Sequence, residues 1–147
     1  MDKLKVRGDV KIITKNSSGQ TLQYEEKKNM VVDVGLDQLA RLLTGDETTA
    51  MGYIAVGTGT TAPAAGNTEL EVERKREAVT PGNATSGVAT FEKEFTFETG
   101  EEWSITEAGL FDAAASGNMF DRFTFSAKAV EPGIALTIII TITFERA

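Results

Sequence analysis

Hydrophobic and polar positions alternate over much of this chain, most cleanly in its last stretch. Ile134, Leu136, Ile138, Ile140, Ile142 and Phe144 fall on one side, with Thr137, Thr141 and Thr143 on the other. A period of two marks a half-buried strand. Threonine is β-branched yet polar, so it suits a pleated face turned to water or to a partner. Ile139 interrupts the polar side and implies that part of that face is also covered. A strand this apolar is expected at the centre of its sheet, not at an edge.

The same period recurs upstream. Leu4, Val6, Val10 and Ile12 share a face opposite Lys3, Lys5, Arg7, Asp9 and Lys11, with Gly8 between. Asn16-Ser17-Ser18-Gly19 is turn chemistry, and a second short strand follows from Leu22 to Glu26, so residues 1–28 read as an N-terminal β-hairpin or arm. Two further long strands place Phe91, Phe95 and Phe97 on one face, then Met119, Phe123, Phe125, Ala127 and Ala129 on another. Tyr53 to Val56 makes a brief apolar strand. Leu70 to Ala78 fits an edge strand or a helical turn, and the pattern does not choose. The stretches 61–67 and 80–87 are rich in turn-forming residues and read as loops, the second as a tip.

One segment has a helical period instead. Leu36, Leu39, Ala40 and Leu43 fall at i, i+3, i+4 and i+7, which predicts a short helix near 34–44 with that stripe facing a sheet. Asp33 suits its N-cap, and Gly45 suits its end. The whole is mainly β: an antiparallel β-sandwich or barrel-like module over 29–147, holding one short helix and preceded by the hairpin.

Composition narrows the chemistry. At 147 residues the chain suits one core, and 41% hydrophobic with 25% charged residues is globular rather than disordered. The start lacks the apolar core of a signal peptide, and no run is long enough to cross a bilayer, so a soluble protein made in a cytoplasm is expected, with no membrane partner. The net charge of −7 opposes phosphate binding, so nucleic acid is not expected either. The chain has no His and no Cys. That removes the commonest general base, the thiol nucleophile and the usual zinc ligands. Carboxylate-only catalysis and all-oxygen metal sites remain; no cofactor is implied.

Each remaining motif has a plain structural reading. Gly57-Thr58-Gly59-Thr60-Thr61-Ala62 has the spacing of a dinucleotide-binding turn, but Pro63 and Gly66 follow and no βαβ unit surrounds it. A glycine-rich turn ending a strand is the expected reading. Glu101, Glu102, Glu107, Asp112 and Asp121 lack calcium-loop spacing and are expected on a solvated acidic face. Within Trp103 to Asp112, a bulge at Gly109 would turn Leu110 and Phe111 into the core. Glu107 there would be costly if buried unpaired, and Arg76 or Arg74 is the expected ion-pair partner.

Read together, several segments resemble a known group. They are Asn29-Met30-Val31-Val32 with Gly35-Leu36; Tyr53 to Pro63; Leu70 with Glu73 and Arg76; and Glu107-Ala108-Gly109-Leu110-Phe111-Asp112, ahead of a long Thr/Ile strand. In this order, from about residue 29 onward, the chain is similar to small tailed-bacteriophage virion proteins, of head-decoration or tail-fibre-like type. The resemblance brings no catalytic residues. It marks Gly57, Gly59, Glu73, Arg76, Glu107, Gly109 and Phe111 as structural motif positions. It implies a module of the virion that self-associates and docks on other virion proteins, the major capsid protein or tail proteins.

A fibre usually needs a shaft, and the chain shows neither a heptad run nor a fibrous repeat. A capsid decoration (cement) protein that stabilises the head exterior can be this small, and such proteins commonly act as trimers. Decoration is therefore the expected role. A tail-fibre, neck or baseplate component is the alternative. A carbohydrate-binding module using Trp103, Tyr24 and Tyr53 is another.

Overall fold

In the computed structural model, residues 3–79 and 83–147 are described. Among these residues, ten strands and one helix run in the order β1 (Leu4–Lys15), β2 (Thr21–Lys28), β3 (Met30–Val31), α1 (Asp33–Thr44), β4 (Tyr53–Gly57), β5 (Glu73–Ala78), β6 (Asn83–Thr85), β7 (Val88–Phe95), β8 (Trp103–Phe111), β9 (Met119–Val130) and β10 (Ala135–Arg146). They form two five-stranded sheets, β2-β1-β10-β7-β6 and β3-β9-β8-β4-β5, antiparallel throughout. Among the described residues no ladder joins the two sheets. The fold is a sandwich rather than a barrel.

The terminal strand sits at the centre of the first sheet, as its pattern predicts. Leu136, Ile138, Ile140 and Ile142 point into the core with Val10 and Ile12 beside them. The N-terminal hairpin forms, turned by Asn16, whose side-chain oxygen accepts from Ser18 and Gln20 amides, and by Gly19 at φ 81°. Its first strand lies along β10 from Leu4↔Arg146 to Lys15↔Ala135, so 4–28 and 135–146 share one sheet. The second sheet contributes Ile54, Val56, Ala108, Leu110, Phe120 and Phe123 to the same core. Salt bridges clip the sandwich on both sides. Glu77 bridges Lys75 and Lys93 on one, and Lys128 of β9 meets Glu25 of β2 at 2.6 Å on the other.

Several local expectations are corrected. Residues 73–78 form an edge strand, which settles the choice left open by their pattern. Asn83–Thr85 is a short strand inside the expected tip, whose residues 80–82 lie outside those described. The face expected of β9 breaks up. Phe120, Phe123 and Phe125 reach the main core, Met119 lies in a second cluster, and Ala127 and Ala129 are exposed. Register shifts on either side of the β8 segment 107–110 switch its phase. Gly109 is not the bulge: it pairs regularly with Ala55 and Arg122. Leu110 therefore faces the core between the sheets, while Phe111 packs in the second cluster with Val32, Ala55, Leu70 and Met119.

The helix is where expected, but it is rotated. Leu36 is 47% exposed and Leu43 89%, whereas Gly35 and Gln38 are buried and Leu39 and Leu42 partly so. A Cβ at Gly35 would collide with the Phe120 carbonyl, so the helix rests its smallest residue against β9. Gln38 donates to Asp112 at 3.3 Å. The N-cap is Val32, without a side-chain bond, and Asp33 lies in the first turn; Gly45 ends the helix at φ 79° as expected. Under the far end of the helix an apolar cavity of about 300 Å³ opens, lined by Leu39, Leu42, Met51, Phe91, Phe120 and Phe144 among others.

Candidate functional site

The outer face of the second sheet is roofed by the chain from 58 to 72, with Val34 of α1 packed at its margin, while the rest of α1 closes one end of the core between the sheets. A loop crossing a sheet face carries backbone N–H and C=O groups with no ladder to join, and each needs a partner. Glu107 and Arg122, on neighbouring strands β8 and β9, supply those partners. Glu107 Oε2 accepts from the amides of Gly59 at 2.7 Å and Val72 at 2.8 Å, and Oε1 accepts from the Glu71 amide at 2.9 Å. Arg122 donates Nε to Glu107 at 3.0 Å, Nη1 to Asn67 Oδ1 at 3.2 Å and Nη2 to the Thr61 carbonyl at 2.9 Å. The pair is solvent-free, with side-chain exposures of 0% and 2%.

The glycines explain why the loop can come so close. A Cβ at Gly59 would collide with the Glu107 carboxylate and Glu71 Cβ; one at Gly57 would strike the Val72 carbonyl. At Gly109 it would meet the Asp121 carbonyl at 2.7 Å. Glu71 finishes the closure by accepting from the Thr60 amide at 2.9 Å and the Thr61 hydroxyl, bonds that hold its carboxyl below its usual range. The Gly-x-Gly segment therefore binds a carboxylate of its own chain. No dinucleotide is involved in that contact.

Beside this node stands a second one. Arg76 lies 3.8 Å over the Phe111 ring and forks onto Glu73 at 2.6 and 3.1 Å. Its Nη1 donates to the carbonyls of Ala113 and Ser116 at 2.9 and 2.8 Å, tying down the loop after β8. All seven motif positions thus lie on one face: Gly57, Gly59 and Glu107 around the carboxylate, Glu73, Arg76 and Phe111 in the stack, and Gly109 beneath Leu70 and Phe111. The expected pairing of Glu107 with Arg76 or Arg74 is corrected. Arg122 takes that place because β9 runs beside β8, whereas Arg76 sits on β5, one strand further out. Arg74 reaches only the Thr58 hydroxyl, at 3.3 Å.

The expectation of a solvated acidic face also fails for two members. Glu107 and Asp121 are fully buried, and Asp121 points between the sheets, where it accepts from the Leu110 amide at 3.0 Å and from Asn29 Nδ2 at 2.6 Å. Burial raises its pKa from 3.8 to about 8. Gly8 of β1 leaves the space that the Asn29 side chain fills. Asp112 binds Gln38 and Asn118, and Glu101 binds Lys75. Among the described residues, no group of three or more such side chains could hold a metal ion. Nor is any helix long and apolar enough to cross a membrane. The three aromatics considered for sugar binding form no shared platform. Tyr24 is exposed on β2, Tyr53 packs in the second cluster, and Trp103 stands edge-on to Phe97 with centroids 6.1 Å apart.

The family of tailed-phage virion structural proteins described as Podophage GP4 fiber I protein gp80 matches residues 36–142. The chain belongs to that family. The matched span begins inside α1 at Leu36, takes in the roofing loop and every residue of both nodes, and ends inside β10. Membership of this fibre family supports the tail-fibre alternative over the head-decoration role expected from chain length. No curated protein and no solved structure matches the chain.

What sequence reasoning missed is Arg122. Its only signal was that Arg122, beside Asp121, is set between the apolar residues Met119, Phe120, Phe123 and Phe125 of β9, where charges call for partners.

Proposed function

We propose that this protein is a non-enzymatic structural component of a tailed-phage fibre apparatus, located in the virion and made in the host cytoplasm. It works by self-association and by docking on other virion proteins. The observation that carries this reading is the fibre-family match over 36–142. The two polar nodes agree with it. Both oxygens of Glu107 and all three nitrogens of Arg122 are engaged in holding the loop, which is the work of a scaffold.

The test is mass spectrometry and cryo-EM imaging of the source particle. The expected result is density for this fold at the tail fibres, in a copy number that follows tail symmetry. Density on the head lattice, in copies that scale with the capsomers, would overturn it in favour of decoration.

A further inference from the structure

The β6–β7 hairpin turns on Ser86 at φ 54° and Gly87 at φ 79°, the two positive values of a type I′ turn. Such a turn makes Thr85 and Val88 a pair that exchanges hydrogen bonds, and Asn83 and Thr90 the next. Ala84, between them, therefore turns its N–H and C=O away from β7. Among the described residues no strand lies beyond β6, and Ala84 is exposed. That rung stands open to an added strand.

The inner face beside this edge is underfilled. One row runs Ala84, Ala89 and Ile142 across β6, β7 and β10. Its two alanines leave out the volume that Phe91 supplies, beside Ile140, in the neighbouring row. The apolar cavity of about 300 Å³ under α1 opens here, with Asn83 as its only polar wall residue among those described. A second apolar hollow of about 230 Å³ adjoins it, and the two share Ala84, Ala89 and Phe144.

We propose that this edge takes an extended segment of another virion protein as an added strand, whose apolar side chains fill the two hollows. The inference rests on the docking reading above and names a surface and a kind of partner for it. In an antiparallel addition, the residue opposite Ala84 bonds its N–H and C=O and shares its face. Side chains two positions apart on that segment lie about 6.7 Å from each other on the same face, so adjoining hollows receive one each. β6 is three residues long, so the backbone supplies few bonds and the apolar anchors decide which segment fits. A second copy of β6 is a poor occupant, because Asn83-Ala84-Thr85 has no large apolar side chain for either hollow. A free apolar molecule would leave the Ala84 rung without a strand to bond.

The experiment uses the full chain in the source phage. A diazirine-bearing amino acid at position 85, irradiated in the particle, should cross-link to one segment of another virion protein. Mass spectrometry should show apolar residues at alternate positions in that segment. Ala84→Trp fills the first hollow, and Ala84→Pro removes only the outward N–H. Each should lower the copies per particle by roughly tenfold or more. Ser18→Trp, exposed in the turn at the opposite end of the sheet, should leave the copy number unchanged. Melting temperatures matching the parent confirm folding, and Ala84→Pro alone decides the matter if the tryptophan variant does not fold. Both Ala84 variants entering the particle at the parent's level would overturn the proposal and leave fibre location standing. So would cross-links to copies of this chain alone, or an apolar small molecule found by native mass spectrometry in protein taken from the particle. A parent chain absent from the particle would overturn this proposal together with the function on which it rests.

Discussion

Arg122 and Glu107 meet at 3.0 Å with both side chains almost wholly buried, and the roofing loop hangs on the pair. A buried ion pair is weak evidence of net stability, but losing one partner is costly because the other charge is left bare. Arg122→Met should therefore destabilise the fold by about 3–5 kcal/mol in urea unfolding. A double-mutant cycle between Glu107 and Arg122 should give a coupling above about 1 kcal/mol. The same cycle between Glu107 and Arg76 should stay within about 0.5 kcal/mol of zero.

Glycine at 59 is required by space. Gly59→Ala pushes a methyl into the Glu107 carboxylate and should cost about 1–3 kcal/mol by the same unfolding measurement. Gly66→Ala, seven positions along the same loop, has nothing within 4 Å of the new methyl and should leave stability within about 0.5 kcal/mol. Equal effects at the two sites would refute the close-approach account.

Asp121 should make stability fall as pH rises through neutrality. Its folded pKa, about 8, exceeds the ordinary 3.8, so the folded state keeps a proton that the unfolded chain has released. The contribution is fully present below the ordinary value and declines up to the folded one, by at most about 1.4 kcal/mol per pH unit. Asp9 and Glu25, held low chiefly by Lys28 and Lys128 respectively against the opposing effect of burial, act in the opposite sense. Their contribution is lost only on acidification, outside this window. Asp121→Asn should flatten the slope between about pH 5 and pH 8 when urea midpoints are compared. An unchanged slope would show that another group carries it.

Arg76 should govern the loop after β8. Arg76→Lys keeps the charge but cannot fork onto Glu73 or stack on Phe111 as a guanidinium does. A loss of about 1–2 kcal/mol is expected, together with faster amide exchange at 113–118 than at the roofing loop. Uniform acceleration across both loops would contradict a local tether.

Strands that keep one register from end to end were legible from the chain: β10, β1 and the inward phenylalanines of β7 all face as their period says. β9 was not, because register shifts change which parity points inward, and no periodicity rule marks where an extra residue enters. The helix was found but turned the wrong way. Its buried side is Gly35 and Gln38, one too small and one too polar to register as hydrophobic, while Leu36 and Leu43 of the stripe are left outside and Leu39 alone of its leucines packs on the core. The motif face was readable as a set of positions, yet its wiring was not. Glu107 is bonded to residues 35, 36 and 48 positions before it and to one 15 positions after it, and only the sheet order shows that they converge.

The ladder between β1 and β10 has a mechanical consequence. It begins at Leu4↔Arg146, and the Ala147 amide donates to the Lys3 carbonyl at 2.9 Å, so residues 3 and 147 lie at one corner. Tension drawn between those two points peels the strands apart, loading one rung at a time from that corner. The same force applied along the strands from opposite ends would load every rung together, as shear. A particle that pulls on this module at residues 3 and 147 thus meets its weakest direction, and one that pulls on opposite ends of the two strands meets a stronger one.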